Sequence, residues 1–195
     1  MYEQFQKVLT DFVPSLTAED GEMLKQLASP SQLTAGEALV REGEQGKQVA
    51  FINHGAVFYS TLRDGRRNVV GFDFEHSMAG DFRSFFENVP ATKTVTALED
   101  CEILTLTRAQ FEALVEANPD ISMLRSTIAE ELFKGAEMRV VEMQSFSAEE
   151  RYRRLLDRSP HLLQRVPLYL LASYIGVTPE ALSRIRQRLS AGGRL

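Results

Sequence analysis

Cysteine is almost absent from this chain of 195 residues, which contains Cys101 and no other cysteine. One cysteine excludes an internal disulfide, and it excludes any metal or iron–sulfur site built only from the cysteines of one chain. We expect Cys101 to be a partly buried strand residue. The scarcity of cysteine is typical of a cytoplasmic protein.

Long apolar runs are also lacking. No stretch approaches the roughly 18 uncharged apolar residues that a membrane span needs, and residues 1–5 show neither the basic nor the apolar region of a signal peptide. Apolar residues make up 44% and charged residues 25% of the chain, which is close to the average for globular proteins. We therefore expect a cytoplasmic globular protein, with one large or two small domains and no membrane partner.

Histidine is scarce, and the chain has no His-x-His pair, nucleophile elbow, P-loop or His-Glu-x-x-His motif. His54, His76 and His161 are scattered, so each is a weak candidate for a haem ligand. A cupin-like metal enzyme is the rival interpretation, but it needs histidines and carboxylates clustered on neighbouring strands. The sequence therefore predicts no catalytic residue, no metal site and no cofactor, and the chain is not expected to be an enzyme.

The net charge of −5 is unevenly distributed. Residues 148–195 contain nine arginines, no lysine and four acids, for a net charge of +5, whereas residues 1–147 carry −10. The planar guanidinium group suits phosphate and guanine. The asymmetry therefore indicates that the C-terminal segment meets an anionic partner.

The first 146 residues divide into helical and strand-like segments. The first 28 residues are predicted to be helical, and Thr17 with Asp20 resembles a capping box. Short runs rich in Val, Phe, Ile and Thr alternate with turn signals from Ser31 to Leu106, which predicts an antiparallel sandwich or barrel. Asp64-Gly65 is the strongest hairpin signal. No crossover helices fit between these strands, so a parallel doubly wound sheet is not expected.

A long helix is predicted for residues 120–146, after a short helix that stops before Asn118-Pro119. Asp120 is its expected N-cap. A helix of about 25 residues is roughly 38 Å long. An apolar stripe on so long a helix is either core or a dimer seam, and the sequence leaves both open. The stripe consists of Ile121, Leu124, Ile128, Leu132, Gly135 or Ala136, Val140 and Met143.

Residues 171–189 have the pattern of a helix-turn-helix motif, after a fresh helix that Ser147 and Glu150 begin with a capping box. Gly176 can adopt the positive φ that ends the first helix of the motif, Thr178 is the expected N-cap of the second, and Leu182, Ile185 and Leu189 form its inward stripe. The alternative is an ordinary helical hairpin with a solvated basic face. The residues predicted to contact DNA are Thr178, Glu180, Ser183, Arg184, Gln187 and Arg188.

Several motifs together resemble the Crp/Fnr family of bacterial transcription regulators, over nearly the whole chain. They are Gly36–Gly43, Phe51–Gly55 and Gly80-Asp81-Phe82 in the strand-rich part, and Ser147–Arg151 and Leu182–Arg186 in the C-terminal part. The resemblance implies an α+β fold with an antiparallel β-roll sensor domain of the jelly-roll type (residues 1–119), a long dimerisation helix (120–146) and an all-α helix-turn-helix domain (147–195). It implies double-stranded DNA and a second copy of the chain as partners, with RNA polymerase and a small-molecule effector as further candidates.

Two departures from the family pattern affect these expectations. In nucleotide-binding members a Glu holds the ribose and an Arg holds the cyclic phosphate, whereas Asp81 and Ala91 stand here at those positions. We therefore expect weak or no binding of cyclic AMP, with another small effector still open. The six residues after Leu189 are too few for the family's β-hairpin wing, so Arg151, Arg153, Arg154 and Arg165 are candidates for contacts to the DNA backbone. The candidate effector residues are Gly80, Asp81, Arg83, Ser84, Thr92 and Lys93.

One further interpretation involves no DNA. In this alternative, the degenerate β-roll is a non-catalytic module that only dimerises or docks to another protein. A stable dimer that does not bind DNA would favour this alternative.

Overall fold

The computed structural model describes residues 1–160 and 162–191, and the side chains of Leu163 and Ala191 are outside that description. The chain forms two compact units. Met1–Leu62 and Val70–Glu131 make up the first, and Arg63–Val69 and Leu132–Leu195 make up the second. His161 and residues 192–195 lie outside the described residues, so the candidate haem ligand His161 and the expected lack of a wing are not tested.

Two four-stranded antiparallel sheets form the β-roll that the sequence predicted. The first has the strand order β1-β8-β3-β6 and the second the order β2-β7-β4-β5. The strands are Ser29–Leu33 (β1), Ala38–Val40 (β2), Gln48–His54 (β3), Val57–Arg63 (β4), Arg66–Asp73 (β5), Met78–Ala79 (β6), Thr94–Ala97 (β7) and Cys101–Thr107 (β8).

Alternation along β3 shows why this strand is buried on both faces. Ala50 and Ile52 belong to a core cluster with residues of both sheets, whereas Val49 and Phe51 belong to a second cluster that the helices cover. Successive side chains of a strand point to opposite faces. The apolar run of β3 therefore supports both the interior of the roll and the helical layer.

The turn between β4 and β5 confirms the predicted hairpin. Asp64 and Gly65 have φ values of +51° and +72°, and two consecutive positive φ values are typical of the type I′ turn that Asp-Gly favours. Cys101 also lies in a strand, as expected, and it is buried rather than partly buried at 2% exposure. Its thiol donates to the carbonyl oxygen of Ala56 at 3.3 Å.

Helices cover one face of the first sheet. Tyr2–Phe12 (α1) and Ala18–Leu27 (α2) precede the strands, Phe82–Glu87 (α3) lies between β6 and β7, and Arg108–Ala117 (α4) follows β8. The predicted cap of α2 is confirmed, because the Thr17 side chain accepts from the Asp20 N–H and the Asp20 side chain accepts from Thr17. Phe5, Leu9 and Leu24 share the buried cluster of the helical layer.

The entry into the long helix differs from the sequence prediction. A 3-10 turn, Pro119–Ser122, precedes helix α5, which spans Met123–Ser145. Asp120 is not the N-cap of the long helix; instead the Asn118 side chain accepts from the Asp120 N–H at 3.0 Å. Proline at the first position has no N–H to satisfy, so the turn begins tightly there and the α-helix starts four residues later.

The apolar stripe that continues along helix α5 is buried at its start and exposed further along. Ile121 in the 3-10 turn and Leu124 in α5 are buried, at 2% and 6% exposure. Leu132, Phe133 and Val140 are exposed, at 46%, 69% and 54%. The start of the stripe is therefore core, and the later part is a solvent-facing apolar surface.

The C-terminal helices are Ala148–Arg158 (α6), Leu162–Arg165 (α7), Leu168–Ile175 (α8) and Pro179–Ala191 (α9). Ser147 caps α6 as predicted, because its side chain accepts from the Glu150 N–H and Glu150 accepts from Ser147 in return. Tyr152, Leu171 and Leu182 are almost completely buried. A small apolar core thus holds these helices together.

Candidate nucleic-acid interface and sensor site

The turn between α8 and α9 has the geometry that the sequence predicted. Gly176 has a φ of +85°, and its N–H donates to the Ala172 carbonyl oxygen at 2.9 Å while the Val177 N–H donates to the same oxygen at 3.0 Å. Glycine favours this left-handed conformation because it has no Cβ. Ala172 is fully buried, so its small side chain permits the close approach of the neighbouring helices.

Helix α9 presents one buried and one exposed face. Leu182, Ile185 and Leu189 are 0%, 5% and 3% exposed, which confirms the inward stripe. Thr178 caps the helix, because its hydroxyl accepts from the Ala181 N–H at 3.3 Å. Of the six residues predicted to contact DNA, Ser183 is half-buried and the other five are exposed: Thr178, Glu180, Arg184, Gln187 and Arg188. The structure thus brings all six together on one helix and its cap.

Charged side chains lie at both ends of α9, with Glu180 in the first turn and Arg188 in the last. Hydrogen bonds from its own N–H and from the Thr178 side chain lower the pKa of Glu180, and Arg184 lowers it further. At the other end, Arg188 Nη2 lies 3.1 Å from Glu149 Oε2 of α6. Arg184 is therefore an exposed cation on the face, whereas Arg188 has a carboxylate partner within its own unit.

Several arginines of the positive C-terminal segment already have interaction partners within the protein. Arg151 donates from Nη1 to the Phe146 carbonyl oxygen at 2.5 Å and from Nε to the Ile175 carbonyl oxygen at 3.0 Å. Arg158 Nη2 lies 2.7 Å from the buried carboxylate of Glu142, and the Arg154 guanidinium lies 4.2 Å from the ring centroid of Phe146. The net charge of the segment therefore overstates the positive charge that is available to a partner.

Asp81 lies at the start of α3 and is 2% exposed. Its carboxylate accepts from the Ser84 N–H at 3.0 Å, from the Thr92 N–H at 2.9 Å and from the Thr92 hydroxyl at 3.0 Å. Burial raises the pKa of Asp81, but these hydrogen bonds outweigh that effect, so the pKa is lowered. The carboxylate is thus ionised and occupied by groups of the protein itself.

The other candidate effector residues have different surroundings. Ser84 is fully buried; its hydroxyl accepts from the Gly46 N–H at 2.7 Å and donates to the Val89 carbonyl oxygen at 2.5 Å. Arg83 is exposed and pairs with Glu87 at 3.2 Å. The Gly80 backbone has a φ of +155°. The structure thus joins Asp81, Ser84 and Thr92 in one network, and Arg83 is directed to solvent.

Ala91 and Lys93 flank Thr92 in the loop that leads to β7. Ala91 is buried at 4% exposure and belongs to the core cluster between the sheets. The Lys93 ammonium lies 5.0 Å from the ring centroid of Tyr59, and the Tyr59 hydroxyl donates to Asp73. Burial raises the pKa of Asp73, and the hydrogen bond from Tyr59 and the charge of Lys93 offset only part of that increase.

Tyr59 and Asp73 are polar residues next to Lys93 of the candidate effector site, and the sequence analysis did not name them. Burial first and the Asp73 charge second raise the pKa of Tyr59 well above its usual value. The two residues are 14 positions apart on adjacent strands, and no local motif links them. The predicted Asp64-Gly65 hairpin implies that the two strands pair, but it does not indicate that these two side chains meet.

The described residues include two of the three histidines that the sequence offered as weak candidates for haem ligands. His54 and His76 are both exposed, and residues 1–160 and 162–191 contain no group of three or more His, Cys, Asp or Glu that could hold a metal ion. Within the same residues, no helix is both long and apolar enough to cross a membrane. That the chain is not an enzyme stays a prediction.

Comparison with known proteins identifies the strand-rich region. Residues 30–118 match the family of cyclic nucleotide-binding domains. This match shows that the strand-rich region is similar to a cyclic nucleotide-binding domain. The matched region spans nearly all of the β-roll and α4, and both the Asp81–Thr92 network and the Tyr59–Asp73 pair lie within it.

Solved structures extend the similarity to nearly the whole chain. FixK2 from Bradyrhizobium japonicum has a TM-score of 0.75 and 21% identity, over 85% of this chain and 86% of that one. A transcriptional regulator of the Crp/Fnr family from Eubacterium rectale has a TM-score of 0.73 and 11% identity, over 92% and 86%. The c-di-GMP-responsive global regulator CLP from Xanthomonas campestris has a TM-score of 0.69 and 17% identity, over 91% and 93%. The chain has the Crp/Fnr fold, which confirms the resemblance drawn from the motifs.

Proposed function

We propose that this protein is a DNA-binding transcription regulator of the Crp/Fnr type that binds a palindromic operator as a homodimer in the cytoplasm. The observation that carries the proposal is the exposed polar face of α9 on a fully buried apolar stripe. Helix-turn-helix proteins insert such a helix into the major groove with its N-terminal residues at the bases. Thr178, Glu180, Ser183, Arg184, Gln187 and Arg188 are the proposed contacts.

Each side chain on this face has a specific chemical role in the proposal. Arg184 can donate two hydrogen bonds to guanine, and the ionised Glu180 can accept one from the amino group of cytosine. Thr178 at the helix start suits a phosphate oxygen. Arg188 is paired with Glu149, so it would have to leave that carboxylate before it could contact a base or a phosphate.

The homodimer is supported by exposed apolar side chains on one face of α5, which include Leu132, Phe133, Ala136 and Val140. Apolar side chains repeated at this spacing on a long helix are typical of a two-helix seam. A two-fold dimer would place two copies of α9 about one helical turn of DNA, roughly 34 Å, apart. RNA polymerase would then be a partner at the promoter.

An effector other than cyclic AMP is part of the proposal. The position expected to hold the cyclic phosphate is the buried methyl group of Ala91, and Asp81 already has three hydrogen-bond donors. Lys93 offers one point charge, without the two-pronged geometry of an arginine. Titration calorimetry with millimolar cyclic AMP should give no saturable heat, and tight binding would overturn this part of the proposal.

The test of function is selection of a binding site from random duplex DNA, followed by fluorescence anisotropy. We expect a palindromic consensus. Arg184→Ala should weaken binding by about 1–3 kcal/mol per half-site and relax the preference at one base pair. Arg41→Ala is the matched control, because Arg41 is an exposed arginine of the other unit paired with Glu44. If no sequence is enriched, the proposal is wrong, and if Arg184→Ala leaves both affinity and site preference unchanged, the assignment of Arg184 is wrong.

A further inference from the structure

An apolar cavity of about 30 Å³ lies in the helical layer of the first unit. Its walls include Leu9 of α1, Val49 of β3, Phe85 of α3, Leu114 of α4 and Leu124 of α5, and all of its lining side chains are apolar. Leu114 and Phe85 are each only 1% exposed. Protein interiors hold few voids larger than a water molecule, so a void at the junction of these elements is a distinctive feature.

We propose that this cavity binds a small, uncharged, apolar molecule of two or three heavy atoms, such as a dissolved gas. Its volume exceeds the roughly 10–15 Å³ that a water molecule needs, but a buried water also needs two to four polar partners, and this lining offers none. An apolar occupant needs no such partner, and it restores the dispersion contacts that the lining atoms lack. A cyclic nucleotide is excluded by both size and polarity.

A molecule bound in this cavity affects the packing of α3 and α5. Phe85 belongs to the helix that Asp81 caps, and Leu124 belongs to the first turn of α5. A molecule between them contacts both helices, so it stabilises the packing of the start of α5 on the region similar to a cyclic nucleotide-binding domain. Binding at this site does not depend on DNA binding, and the inference can therefore fail or succeed separately from the proposed function.

Xenon is the probe for the test, because it is apolar and monatomic. In ¹H–¹³C methyl spectra of the full chain under increasing xenon pressure, the methyl groups of Met78, Leu114 and Leu124 should shift along saturable curves, since all three residues line the cavity. The methyl groups of Leu62, which is 60% exposed, should shift only in proportion to pressure. If the lining residues also respond linearly, the cavity is no binding site and the inference is overturned.

Variants in which a larger side chain fills the cavity provide the second part of the test. Leu114→Phe enlarges a lining side chain and should abolish the saturable shifts of Met78 and Leu124. Leu62→Phe makes the same change at an exposed position and should leave them intact. If Leu114→Phe does not fold, Leu9→Phe fills the same space from α1. Saturable shifts that persist in a folded, filled variant would place xenon elsewhere and overturn the inference.

Discussion

Arg139 on α5 holds the C-terminal end of α8 through Tyr174. The Arg139 guanidinium lies 4.1 Å from the centroid of the Tyr174 ring, and Nη2 donates to the Tyr174 main-chain oxygen. Arg151 binds the adjacent carbonyl oxygen of Ile175 at 3.0 Å. The C-terminus of a helix carries partial negative charge. Two cations therefore fix the helix end that leads directly into the turn at Gly176.

Arg139→Ala should weaken DNA binding without removing a phosphate contact. We expect a loss of about 1–2 kcal/mol, because a cation–π contact and a hydrogen bond from a charged donor are both lost. Arg139→Lys should recover part of it. The measurement is fluorescence anisotropy at several salt concentrations, in which the slope of log K against log salt should stay unchanged. A slope smaller by about one would contradict this prediction, since it indicates a direct phosphate contact.

Two glycines in helical surroundings should respond to alanine in opposite directions. Gly176→Ala should destabilise the protein by about 1–2 kcal/mol, because φ is +85° and a Cβ there would lie 3.2 Å from Met143 Cε. Gly135→Ala should stabilise it by up to about 1 kcal/mol, because a Cβ on this helical residue would meet nothing within 4 Å. Urea unfolding of both variants measures the difference. Equal effects of the same sign would show that backbone conformation does not decide the outcome.

The exposed surface of α5 predicts a dimer that one charge can disrupt. Leu132→Asp should shift the protein to monomer in sedimentation velocity, because it places a carboxylate in the apolar seam. Val141 is equally exposed, at 49% against 46% for Leu132. It lies nine residues further, which is half a turn around the helix. Val141→Asp is therefore the matched control and should remain dimeric. A monomeric wild type would refute the seam.

Asp81 should make stability depend on pH in the acid range. Its pKa is lowered in the folded state, so its contribution is complete above the unfolded value of about 4 and is lost as the pH falls through the lower folded value. Asp81→Asn should therefore cost about 1–3 kcal/mol at pH 7 and distinctly less at pH 3. Thermal unfolding at both pH values tests this. A constant difference between wild type and variant would count against an ionised, hydrogen-bonded Asp81.

Much of the local structure was predictable because its causes lie within a few residues. The caps at Thr17 and Ser147, the Asp64-Gly65 turn and the break at Gly176 each depend on neighbours in the chain, and all are present. Asp120 is the exception. It does not cap the long helix, because a 3-10 turn that begins at Pro119 and is capped by Asn118 precedes that helix.

Contacts between distant residues were beyond sequence reasoning. Asp81 meets Thr92 across 11 residues, Tyr59 meets Asp73 on a neighbouring strand, and Arg151 reaches Ile175 across 24 residues. In each case, packing decides which donor meets which acceptor. The same applies to the arginines of the C-terminal segment, because net charge can be counted from the sequence but its availability depends on Glu142, Glu149 and the helix ends nearby.

The sequence by itself determined the order of the elements, the alternation that builds a β-roll, and the two faces of α9, because these follow from residue spacing along a strand or helix. The tertiary structure decided that the Asp81 network is occupied internally, that the start of the α5 stripe is core and its later part is exposed, and that an apolar cavity remains beneath α3. Those features arise from how elements pack against each other, and spacing within one element does not contain that information.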